Sequence, residues 1–64
     1  MIRLYRSKYG DVYYTLEGHT LTRITYGFHQ TSHTHPKINH EACLEMGLVL
    51  IGNNFKGNYF NDSN

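Results

Sequence analysis

The sequence predicts an α+β fold: a small antiparallel β-meander of three to five strands with one short helix, in the order β-β-β-α-β. Three observations carry that expectation. The first 27 residues break into short β-branched and aromatic runs separated by turn residues. Only the segment after Asn39 has helix signals at both of its ends. The apolar run 48–51 is too short for a second helix and suits a buried strand.

The elements follow in chain order. Residues 2–7 form the first strand, and Tyr9-Gly10-Asp11 supplies a turn in which glycine can take positive φ. Residues 12–16 alternate, placing Val12, Tyr14 and Leu16 on one face and Tyr13 on the other. Glu17-Gly18-His19 is a tight connection of hairpin type. Residues 20–26 form the third strand, ended by Gly27. Its alternation is imperfect, because Leu21 and Ile24 point to opposite faces, so either both faces are covered or a bulge resets the phase.

Residues 28–37 are the one long polar segment and are expected to be a loop, with Pro36 holding His35 away from helical angles. The helix begins at Asn39, a good N-cap, with Glu41 in its first turn, and stops at Gly47. Ile38, Ala42 and Met46 form one apolar stripe at helical spacing, and His40, Cys43 and Leu44 a second group. Residues 55–60 are open between an edge strand and a loop. The domain is therefore drawn at 1–60, with 61–64 as a frayed tail.

Size and composition exclude several function classes. Sixty-four residues hold one small domain with a thin core and no deep catalytic cleft. A hydrophobic content of 39% and a net charge of +1 argue against disorder, and so small an excess of positive charge argues against a general polyanion binder. No run approaches the roughly 18 apolar residues of a membrane span. The start lacks the apolar stretch of a signal peptide, and the single cysteine, Cys43, forms no internal disulfide. A cytoplasmic protein is the resulting expectation. The many residues read by AT-rich codons (six each of Tyr and Asn) suggest a phage or mobile-element source.

Two clusters are candidates for function. Tyr5, Tyr9, Tyr13, Tyr14 and Tyr26 fall in or beside the meander, interleaved with Arg3, Arg6, Lys8 and Arg23. Tyrosine and arginine are enriched at interface hot spots because they bury much area and keep a polar tip. On a sheet they can also stack bases and meet phosphates. The second cluster is His33, His35, His40 and Cys43, whose imidazole and thiolate groups are natural zinc ligands. His40 and Cys43, three apart on a helix, can face one ion. No nucleophile–base–oxyanion constellation is present, and no enzymatic activity is expected.

The functional expectation is a small regulator or inhibitor of a larger host protein, bound through the Tyr/Arg-rich sheet. A nucleic-acid-binding domain using the same sheet is the alternative. A zinc-stabilised structural module, or a homodimer that completes the thin core, comes third.

Overall fold

The computed structural model describes residues 2–55 and contains β1 (Ile2–Arg6), β2 (Val12–Glu17), β3 (Thr20–Thr25), β4 (His29–Thr34), α1 (His40–Glu45) and β5 (Val49–Phe55). The strands make one antiparallel sheet in the order β4-β3-β2-β1-β5. The fold is the α+β meander with one helix that the sequence predicts. This order puts β4 and β5 on opposite edges, so the connection between them must cross the sheet, and α1 lies in that crossing.

Two turn types set the meander. Gly18, with φ 62, occupies the first position of the two-residue loop joining β2 and β3, where a tight hairpin requires the left-handed region. The β3–β4 loop uses Tyr26 (φ 58) and Gly27 (φ 80), closed by a 3.2 Å bond from Phe28 N–H to Thr25 O. A tyrosine at positive φ is a strained choice for an ordinary turn.

Register divides the side chains cleanly. Arg3 and Tyr5 of β1 share a face with Val12, Tyr14 and Leu16, and then with Leu21, Arg23 and Thr25. This is the face under the helix. Its core is Tyr5, Leu16, Cys43 and Leu48, with Tyr14, Leu21, Ile38 and Leu50 packed at the margin. Leu4, Tyr13, Thr15, Thr22 and Ile24 share the opposite face, where Leu4 and Ile24 are also buried. Leu21 and Ile24 thus serve different faces of a strand whose register runs unbroken. No bulge is needed to explain its alternation.

The helix is short and capped at both ends. Asn39 Oδ1 accepts from Ala42 N–H at 2.8 Å. At the other end Gly47 has φ 88, and its N–H reaches Leu44 O while Leu48 N–H reaches Cys43 O, at 3.0 and 3.1 Å. That pair of bonds is the Schellman motif, and it delivers Leu48 into the same core as Cys43.

Three expectations change. Residues 28–37 are not all loop, because 29–34 form β4. All six of its residues are exposed, so the strand has no apolar alternation by which a sequence could announce it. The stripe of Ile38, Ala42 and Met46 is only partly covered: Ile38 packs at the core margin and Ala42 is half-buried, while Met46 is not covered. With only six residues the helix docks through Cys43, which leaves Met46 58% exposed. The last strand continues past residue 51 to Phe55, with register shifts that carry β5 through Gly52. There Gly52 faces Leu4, whose Cβ would lie 3.6 Å from an added side chain. The expectations for residues 56–64 lie outside the described residues.

Candidate functional site

The tyrosines and arginines expected to form one surface are distributed by the pleat into three environments. Tyr5 is in the core with 0% exposure, so it belongs to the fold and not to a binding face. Its hydroxyl lies 2.7 Å from His40 Nδ1, with the donor set by the imidazole tautomer. The two rings are tilted 35° with centroids 5.8 Å apart. Burial first, and then the neighbouring Cys43, push the Tyr5 phenol up to about 12. Burial likewise raises the Cys43 thiol, with the Tyr5 hydrogen bond opposing it. This cluster locks the helix to the sheet and leaves Cys43 inaccessible as a nucleophile.

Arg3, Tyr13 and Tyr14 are half-buried. Arg3 and Tyr14 lie on the helix face, while Tyr13 lies on the opposite face directly beside Arg6 and Ile24. Tyr9, Arg6, Arg23 and Tyr26 are exposed. Tyr9 and Tyr26 each show 83% of their surface.

These exposed residues gather at one end of the sheet. Arg6 pairs with Tyr13, Val12 with Thr25, and Thr25 with His29, so the β1–β2 and β3–β4 turns are neighbours. Tyr9 sits in the first turn and Tyr26 in the second. Phe28, which sequence reasoning did not single out, joins them at 74% exposure. Ser7 holds the first turn through bonds between its hydroxyl and both Tyr9 N–H and Tyr9 O, at 3.2 and 2.8 Å. Lys8 in the first turn, Arg6 at the end of β1 and, on the other face, Arg23 of β3 are exposed cations towards the same end of the sheet. The sequence signal for Phe28 is an aromatic directly after the turn glycine Gly27, obscured by the polar residues that follow it.

Between β3 and β4, Arg23, Thr25, Tyr26, His29 and Thr31 line an open concavity of about 260 Å³ on the helix face of the sheet. Arg23, Tyr26, His29 and Thr31 can each donate a hydrogen bond into it, the Thr25 hydroxyl donates to His29 O at 3.4 Å, and no lining residue is acidic. Such a hollow favours an anionic or acceptor-rich group over a cation.

The four histidine and cysteine residues considered for zinc are placed apart in role. His33 is on exposed β4, and His35 accepts from Lys37 N–H through Nδ1 at 3.1 Å. His40 is engaged with Tyr5, and Cys43 is in the core. Among the described residues no three His, Cys, Asp or Glu side chains are grouped so as to hold a metal ion. His19, outside the cluster, donates from Nδ1 to Ile38 O at 2.8 Å, while His35 N–H bonds His19 O at 3.2 Å. That histidine fastens the β4–α1 connection over the far end of the sheet, opposite the aromatic turns.

Comparison with models of protein families, with curated proteins and with solved structures finds no match to this chain.

Proposed function

We propose that this chain is a small non-enzymatic interaction protein, a regulator or inhibitor that binds a larger protein through the turn end of its sheet. The observation that carries this reading is the exposure of Tyr9, Tyr26 and Phe28 on two turns at the same end of the sheet. Exposed rings of this size that are grouped on one surface mark interaction sites, whereas single scattered ones need no explanation. Arg6, Lys8 and Arg23 complete the aromatic–cationic mixture typical of interface hot spots. Positive φ at Tyr26 supports the same reading, since strained residues persist where function requires them.

The surface also has the parts a nucleic acid would use, rings for stacking and cations for phosphates. The small net charge of the chain favours protein. Capture from a bacterial lysate in a salt series separates the two. Retention of one stoichiometric protein through the series supports the proposal. Recovery of nucleic acid alone, released as salt rises, overturns it.

A further inference from the structure

The two edges of the sheet are built differently. The β5 edge carries register shifts against β1 between Ile2 and Leu4 and again between Leu4 and Tyr5. Such irregularities twist an edge away from further pairing. The β4 edge has none of the usual protections. All six of its residues, His29 to Thr34, pair with β3 in unbroken register, and no proline, lysine or other formal charge interrupts them. Among the described residues nothing pairs with the outer side of β4, and every residue on it is exposed. Alternate residues of such a strand direct their N–H and C=O groups outward.

The side-chain surface beside this edge is selective. His29 and Thr31 of β4, with Arg23 and Thr25 of β3, share one face and line the concavity that Tyr26 closes at its end. A strand added along β4 would place every second side chain on that face. Opposite His29 and Thr31, such a side chain lies next to a hollow furnished with a guanidinium and hydroxyl donors and with no carboxylate.

We propose that β4 is a docking edge for an extended segment of the protein partner, which joins the sheet as a sixth strand and sets an acidic side chain in the Arg23 concavity. Main-chain pairing supplies affinity in this mode, and the pocket for alternate side chains supplies specificity. The proposal rests on the reading of the chain as a protein-binding module and names the chemistry of the bound segment.

The test selects a displayed library of random twelve-residue peptides against the intact chain and maps a selected synthetic peptide by backbone amide NMR. Selected sequences should carry Asp or Glu within a β-branched run, and their binding should shift and protect amides of residues 29–34. Changing the peptide acid to its amide should weaken binding about tenfold, and Arg23→Gln should abolish that difference. Arg23→Glu should transfer the preference to a peptide with Lys at the same place; Arg23 is exposed, so both variants keep the fold. Selection of no peptide, selection without an acidic preference, or shifts confined to the Tyr9 and Tyr26 turns would overturn the docking edge. The last of these leaves the turn-end reading standing, so the two failures are distinguishable. Protection of β4 amides in the free protein, together with a dimer in sedimentation, would give the edge to a second copy and also overturn the proposal.

Discussion

Tyr5 and Tyr26 are the same residue type put to opposite uses. Tyr5 is sealed in the core, and its hydroxyl meets His40 and Cys43. Tyr5→Phe keeps the ring and loses those bonds, so it should lower stability by about 1 kcal/mol. Chemical denaturation measures this, and an unchanged midpoint would contradict the role given to the hydroxyl. Both Tyr5 and Cys43 hold their protons more tightly in the folded chain than in the unfolded one. Stability should therefore be insensitive to these groups below pH 9.0, the ordinary value for the thiol, and should fall as pH rises through 10.0 towards about 12. Denaturation midpoints across that range, flat to pH 11 in the wild type, would contradict it. Tyr26 is exposed at φ 58, where a glycine is at ease. Tyr26→Gly should raise stability by roughly 0.5–1 kcal/mol through relief of backbone strain while it removes one ring from the proposed binding surface. A loss of stability on this change would contradict the strain argument.

At the scale of elements, sequence legibility followed burial. β2 was legible because Val12, Tyr14 and Leu16 face the helix and impose alternation. The helix was legible because both of its stops are local: the Asn39 cap and the Gly47 turn each need only neighbouring backbone. Asn39→Ala should cost about 1 kcal/mol through the lost bond to Ala42. Gly47→Ala should cost about 1–2 kcal/mol from positive φ alone, since an added Cβ meets nothing within 4 Å. Urea midpoints test both, and neutrality at Gly47 would refute the need for a left-handed residue there. β4 was illegible for the converse reason. An edge strand exposed on all sides has no core to impose a pattern, so the order His29, Gln30, Thr31, Ser32, His33, Thr34 reads like a loop. What holds it is pairing with β3, helped by hydroxyl pairs Thr20–Thr34 and Thr22–Ser32 at 2.8 Å. Of the two helix groups the sequence offers, the one containing Cys43 supplies the residue that packs over Tyr5, and Leu44 and Met46 are left exposed.

For the whole molecule, the meander divides labour between its two ends. The far end is closed by His19 and the 35–38 connection, and the turn end is left with three exposed rings and three cations. The sequence groups its tyrosines and arginines in the meander, but the pleat divides them between the core, both faces and the turns. That division depends on the register of β1 against β2, which puts Tyr5 beside Tyr14 under the helix. Spacing alone could not put the turns of Phe28 and Tyr9 at the same end of the sheet, which is a product of strand pairing. The proposed partner surface is the turn end of the sheet. Its most direct test is quantitative capture from bacterial lysate with the wild type, with a Tyr9→Ala, Tyr26→Gly and Phe28→Ala triple variant, and with a Glu17→Ala control at the far end. One protein should be retained stoichiometrically by wild type and control and reduced at least tenfold by the triple variant, with all three chains folded. Equal capture of that protein by the triple variant would contradict this assignment.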